Sequence, residues 1–308
     1  MEDQSHDGGV WNRQAYALFQ KLGWERIGDR DMDVLGEDES KMGIDTIVKY
    51  LSPLKTRPQV AILEAKHYLT TSFNKSKLEE WLSRLDTKLI KLRNSESFKE
   101  KFPALEDCTV LNTGIIAIWF HDVESYQEFK AKFKTILTQI SISGRQRKAG
   151  LANIFVIDNE RFMRLFALSE ELDHIKANGD SEFNFVYSQA FTSSNPVKRI
   201  PVLTIEAVFS DVVFGEDIKH DGTQKNHIFY FGKNDYKSFQ TVKAIFSKSV
   251  SYTTDIPLVL HVYDVDSEFR KIEDDIKNNI FGDFKISIRR MGKNQNLPTF
   301  MLNIEDNE

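Results

Sequence analysis

MGIDTIVKYLSPLKTRPQVAILEAKHY, residues 42–68, decides how the rest of the chain is read. Residues 44–50 have the composition of one strand and residues 60–66 of the next. The link, residues 51–59, carries Pro53 and Pro58, which remove ladder donors and mark a turn. Side chains alternate across a strand, so Glu64 and Lys66 are expected on one face and Ala65 on the other. A hairpin brings Asp45 alongside them, although eighteen residues separate it from Glu64. Two carboxylates and an ammonium then converge. Neighbouring carboxylates repel unless a cation lies between them. Oxygen ligands with room for water suit Mg²⁺ or Mn²⁺ better than Zn²⁺. Such an ion acidifies a bound water and neutralises phosphoryl charge, while Lys66 orients the water or offsets developing charge. The chemistry expected is phosphodiester hydrolysis. The bland alternative is a pair of surface strands with charges facing solvent. Val60-Ala61-Ile62-Leu63 counts against it, because a continuous apolar run belongs to a central strand. Charge at the end of such a strand needs a partner or a function.

Upstream, Ala15, Leu18, Phe19 and Leu22 recur at helical spacing within residues 11–22, and Gly23 stops the helix. This helix, the Gly43-Ile44-Asp45 strand and the Glu64-Ala65-Lys66 strand together resemble the PD-(D/E)XK, or restriction-endonuclease-like, nucleases, most closely the Mrr-like branch. The resemblance covers roughly residues 10–160. It implies an α/β core, a mixed central sheet flanked by helices. It implies that Asp45 and Glu64 hold Mg²⁺ or Mn²⁺, that the Ala65 carbonyl completes the coordination, and that Lys66 serves catalysis. Many members carry a glutamate on the first helix, where this chain reads Trp11-Asn12-Arg13-Gln14, and Gln14 is the candidate replacement. The family further implies a nucleic-acid substrate, DNA rather than RNA, and a role in restriction or anti-phage defence. It also implies action as a homodimer or with a second subunit. The alternatives are an inactive nuclease-like binding or assembly subunit, motivated by the missing helix glutamate, and an RNA-cleaving toxin.

Composition sets the outer bounds. Of 308 residues, 41% are hydrophobic and 28% charged, an ordinary globular balance with room for two domains. The net charge of −5 gives no global basic character, so any nucleic-acid contact must be local. A lone cysteine, Cys108, excludes an internal disulfide and a cysteine-built zinc site. Residues 1–9 are polar and acidic, unlike an export signal, and no apolar run approaches the ~20 residues that span a bilayer. A cytoplasmic protein without a membrane partner is expected.

Residues 29–41 are rich in acids and read as a solvated loop or hairpin, with Asp31 or Asp33 as an extra metal ligand in the alternative. A helix follows residue 74, with Leu78, Trp81, Leu82, Leu85, Leu89 and Leu92 as its apolar stripe. Its lysines and arginines, Lys88 among them, read as a solvated face. Residues 110–120 form a buried strand, and Asp122 reads as the N-cap of a helix over residues 124–140. Residues 143–150, SGRQRKAG, are the most basic loop. Arg145, Arg147 and Lys148 are candidate phosphate contacts, against the bland reading of an exposed turn. Residues 151–157 read as a strand and 161–172 as a helix.

Polar stretches place a soft boundary within residues 173–198. This gives a nuclease domain over residues 1–175 and a second α/β domain over residues 198–308. In the latter, strands are expected at 201–209, 227–231, 256–263, 284–290 and 299–304, and helices at 236–247 and 267–280. Neither a Walker loop nor a dinucleotide fingerprint occurs, and the role of this half is left open among recognition, sensing and assembly.

Overall fold

The computed structural model describes residues 7–53, 55–140, 152–177, 181–188, 197–249 and 253–302. The chain divides into two units, Met1–Phe162 with Leu297–Glu308, and Met163–Asn296.

Unit 1 opens with α1 (Asp7–Lys21), β1 (Glu25–Ile27) and a hairpin of β2 (Met32–Leu35) and β3 (Lys41–Ile44). The strands β4 (Thr46–Tyr50) and β5 (Gln59–Tyr68), the helices α2 (Lys75–Arg93) and α3 (Glu96–Lys101), β6 (Thr113–Phe120), α4 (Val123–Gln139) and β7 (Asn153–Ile157) follow. Five strands form one sheet in the order β1-β4-β5-β6-β7. The first two pairings are antiparallel and the last two parallel. Parallel neighbours need crossovers, which α2 with α3 and then α4 supply. The expected strand over residues 44–50 is interrupted at Asp45: β3 ends before it and β4 starts after it.

Alternation along β5 sorts the two faces of this sheet. Ile62, Ile116, Ile118 and Phe120 pack under Leu78, Trp81, Leu82, Leu85 and Leu89 of α2 and Phe133 of α4. The opposite face meets α1, whose Trp11 Nε1–H donates to the Ala117 carbonyl at 3.0 Å. Gly114 lets α2 approach the sheet: a Cβ there would lie 2.7 Å from Leu85 Cδ2. Asp122 does stand at the N-cap position of α4, but it makes no cap hydrogen bond. Its carboxylate instead accepts from the Thr70 N–H and hydroxyl.

The unit boundary falls within α5 (Asn159–Ala177). Unit 2 continues with β8 (Ser181–Ser188), β9 (Val197–Ile200), α6 (Ile205–Val208), β10 (Val212–Lys219), β11 (Gln224–Tyr230), α7 (Tyr236–Ser249), β12 (Leu258–Tyr263), α8 (Ser267–Asp275) and β13 (Ile286–Met291). A π-helical turn, Ile276–Ile280, extends α8. The sheet order is β13-β12-β11-β10-β8-β9. Residues 201–209, expected as a strand, instead hold α6, whose Thr204 hydroxyl caps the Ala207 N–H. The strand lies later, in β10. Residues 299–304 were expected as a strand too, but α9 (Thr299–Leu302) is helical and belongs to unit 1. There it packs on α1, with Lys21 Nζ 4.0 Å from the Phe300 ring centroid.

Candidate active site

The break between β3 and β4 is held by a small polar knot. The Asp45 carbonyl accepts from the Asp31 N–H at 2.9 Å, from Asn12 Nδ2 at 3.2 Å and from the Thr46 hydroxyl at 2.7 Å. The single Thr46 hydroxyl proton is shared with Asn12 Oδ1 at 3.0 Å. Asn12, 1% exposed on α1, also donates to Asp31 Oδ1. Asp31 adopts φ +49°, uncommon for a residue with a side chain, which turns its N–H toward Asp45. The knot fixes the Asp45 backbone and aims its carboxylate across the edge of β5.

There Asp45 Oδ2 accepts from the Ala65 N–H at 3.0 Å. The β4–β5 ladder ends at Thr46 and Leu63, so this N–H has passed the last paired residue. The N–H and C=O of one strand residue face the same neighbour, which leaves the Ala65 carbonyl on Asp45's side. Glu64, 2% exposed, points to the α2 face. Its Oε1 takes the ammonium of Lys88 from α2. Its Oε2 lies 3.4 Å from Lys66 Nζ, and the same ammonium is 3.9 Å from Asp45 Oδ2. Asp45, Glu64 and Lys66 are thus brought together by the end of one strand pair.

The two acids respond differently to this setting. Burial pushes the Asp45 carboxyl above its usual range, and the Glu64 charge adds to the effect. Burial alone would also raise Glu64, but Lys66 and Lys88 outweigh it and hold that carboxyl low. Two hard carboxylate donors and a peptide carbonyl on one edge, with an ammonium between the acids, are a donor set that fits Mg²⁺ or Mn²⁺ with water filling the remaining positions. No group of three or more His, Cys, Asp or Glu side chains able to hold a metal occurs among the described residues.

Other candidates fall elsewhere. Gln14 is half-buried two residues beyond Asn12, roughly 200° around the helix axis, and Asn12 rather than Gln14 reaches the knot. Asp31 serves through its backbone and its bond to Asn12. Asp33 is exposed on the β2–β3 hairpin. Arg145, Arg147 and Lys148 lie outside the described residues. Lys88, read from sequence as solvated, is largely buried against Glu64. A signal for it was present, since residues 81, 85, 88 and 92 follow the same helical line as the leucine stripe. Asn12 had no comparable signal.

Among the described residues no helix is long and apolar enough to cross a membrane. No curated protein matches the chain. A solved structure described as "Crystal structure of Aa-Ago with externally-bound siRNA" aligns at 10% identity over 87% of this chain and 40% of its own, with a TM-score of 0.20. The chain spans less than half the length of that neighbour, and similarity at this level carries no argument. The family model of the GAPS4 protein PD-(D/E)XK nuclease domain matches residues 1–161, which hold α1, the knot, the Asp45 and Glu64 strands and Lys88. That is more than half of the 308 residues, and the chain belongs to this nuclease-domain family.

Proposed function

We propose that the chain is a Mg²⁺- or Mn²⁺-dependent endonuclease that hydrolyses phosphodiester bonds of DNA in restriction or anti-phage defence. The observation that carries this reading is the position of Lys66 Nζ, 3.9 Å from Asp45 Oδ2 and 3.4 Å from Glu64 Oε2. Asp45, Glu64 and the Ala65 carbonyl would hold the ion. When bound, the ion supplies an acidified water and a Lewis acid for the phosphoryl oxygen. Lys66 then faces the phosphate and offsets the charge that builds on its oxygens as the new P–O bond forms. Lys88 holds Glu64 through its far oxygen and leaves Oε2 toward the reacting centre. Catalysis is assigned to residues 1–175, and recognition, sensing or assembly to residues 198–308. Phosphate contact is assigned to Arg145, Arg147 and Lys148, and action to a homodimer or a complex with a second subunit.

Purified protein incubated with supercoiled, linear and single-stranded DNA and with RNA, in Mg²⁺, Mn²⁺ or EDTA, tests the proposal. Metal-dependent DNA cleavage is expected. Asp45→Ala, Glu64→Ala and Lys66→Ala should each lower it by roughly 10²–10³-fold or more while staying folded. Identical behaviour of wild type and Asp45→Ala on every substrate sinks the reading. Cleavage of RNA alone redirects it to an RNase, and tight binding without cleavage to an inactive subunit.

A further inference from the structure

We infer that residues 163–296 repeat the nuclease architecture with its hydrolytic centre replaced by hydrophobic core, so that the chain holds one cleaving centre and one silent copy. The strands carry the first part of the argument. Across β8-β10-β11-β12-β13 the pairings run antiparallel, antiparallel, parallel, parallel. Across β1-β4-β5-β6-β7 they run the same way. The helices fall at matching points. One precedes the first strand (α1, α5), one crosses from the third strand to the fourth (α2, α7), and one from the fourth to the fifth (α4, α8). Even the insertions match in place: the β2–β3 hairpin and the β9–α6 segment each enter between the first and second sheet strands. Eight elements in one order leave little room for an unrelated topology, since sheet order, strand direction and crossover placement are separate choices.

The second part concerns what occupies the matching site. In unit 1 the candidate centre lies on the face covered by the first crossover helix, where the carboxyl half of β5 meets the amino end of β4. In unit 2 that face of β11 presents Ile228 and Tyr230, packed with Phe239, Val242 and Phe246 of α7. Across the ladder, Phe214 faces Ile228 and Val212 faces Tyr230. Ile228 is fully buried and Tyr230 nearly so. The Tyr230 hydroxyl is turned to the Lys233 carbonyl at 2.7 Å. Where unit 1 offers two carboxylates and an ammonium, unit 2 offers aliphatic and aromatic carbon. Such positions cannot hold a hard divalent ion, whose ligands are oxygens.

The inference rests on the proposed role of Asp45 and Glu64 and extends it: one chain makes one strand scission per encounter, and a duplex cut takes a second copy or a second event. Iron-directed peptide scission tests it on the full-length chain. Fe²⁺ replaces the native ion, ascorbate and peroxide generate hydroxyl radicals at the bound metal, and the fragments are mapped by mass. Cuts are expected near residues 45 and 64–66 and nowhere within residues 212–232. Asp45→Asn and Glu64→Gln should each remove the cuts, with circular dichroism verifying the fold of each variant. Cuts within residues 212–232 overturn the silent copy and leave the reading of unit 1 standing, whereas cuts near residues 45 and 64–66 that survive in both variants overturn Asp45 and Glu64 as ligands and take both readings down. No cuts anywhere removes the centre from unit 1 itself, and both readings fall together.

Discussion

Glu64 meets two ammoniums, Lys88 at Oε1 and Lys66 at Oε2. Asp45 meets Lys66 at 3.9 Å and one backbone N–H. The carboxyls are accordingly displaced in opposite directions, Asp45 up through burial and the Glu64 charge, Glu64 down because its two lysines outweigh burial. An acid with a raised folded pKa favours folding at low pH and loses that contribution as pH rises through the folded value. An acid with a lowered folded pKa contributes above its unfolded pKa and loses the contribution as pH falls through the folded value. In EDTA at pH 7, Asp45→Asn should therefore stabilise the protein, by about 1 kcal/mol or less. Glu64→Gln strands two partly buried ammoniums and should cost about 3 kcal/mol. The Glu64→Gln deficit should fade on acidification, once wild-type Glu64 is protonated as well. Urea unfolding of the three proteins across pH 3–7 measures this, and shifts of the same sign for both variants would refute the assignment. These opposed effects also explain why sequence gave an incomplete picture of the site. The motif named both acids and Lys66, but the second ammonium on Glu64 comes from Lys88, which is twenty-four residues from Glu64 and delivered by a helix.

On the α5 face of unit 2, side chains from successive strands form a buried chain. Asp217 of β10 meets His227 Nε2 of β11 at 2.7 Å, and His227 Nδ1 meets His261 Nε2 of β12 at 2.9 Å. His261 Nδ1 meets Glu171 of α5 at 3.0 Å, and Arg289 of β13 closes on Glu171 at 3.3 Å. Burial pushes His261 down to about 4, only partly offset by Glu171. Neutral His261 donates from Nδ1 to Glu171 and accepts at Nε2 from His227 Nδ1–H. A histidine with a lowered folded pKa contributes stability above its unfolded value of about 6.5 and loses it as pH falls toward the folded value. Glu171, held low by His261 and Arg289 against the effect of burial, adds acid sensitivity of the same sign. Unfolding free energy should fall by about 3 kcal/mol between pH 6.5 and 4 on account of His261. His261→Phe should flatten that segment of the curve while lowering stability at pH 7, because Glu171 and His227 lose a partner. A variant that retains the full acid slope would refute the chain's role. Little of this was legible in sequence, because histidines thirty-four residues apart meet only through strand register. Period-2 and period-3.6 patterns did locate β5, β6, α2 and α4. They failed at residues 299–304, where a short apolar run fits strand or helix alike and packing on α1 decides. At residues 201–209 the β-branched run looks like a strand, and the Thr204 cap turns it into a helix.

For the molecule as a whole, charge is the main barrier to a polyanionic substrate. The chain carries a net charge of −5. The basic side chains of β13 and the residues after it are engaged: Arg289 with Glu171, Arg290 with Glu273 and Lys293 with Asp264. At the candidate site two carboxylates and two ammoniums cancel in formal charge, so the metal-free centre offers a phosphate no net attraction. On the proposed reading, a divalent ion held by Asp45 and Glu64 would change that balance by two charges at the point where a nucleic-acid backbone would dock. DNA binding should therefore depend on the ion even when no bond is cut. Ca²⁺ takes oxygen ligands as Mg²⁺ does but prefers more of them at longer distances, which suits it as a probe of binding rather than turnover. Fluorescence anisotropy of a labelled duplex should report weak binding in EDTA and binding at least about tenfold tighter in Ca²⁺, an electrostatic gain that falls as salt rises. Asp45→Asn should lose the response to Ca²⁺ while binding no worse than wild type in EDTA, since it removes a negative charge. Arg145, Arg147 and Lys148, if they touch phosphate, contribute equally with and without the ion, so their replacement by alanine should weaken both measurements by the same factor. Equal affinity of wild type in EDTA and Ca²⁺ would show that the substrate is held by surfaces other than the Asp45–Glu64 edge.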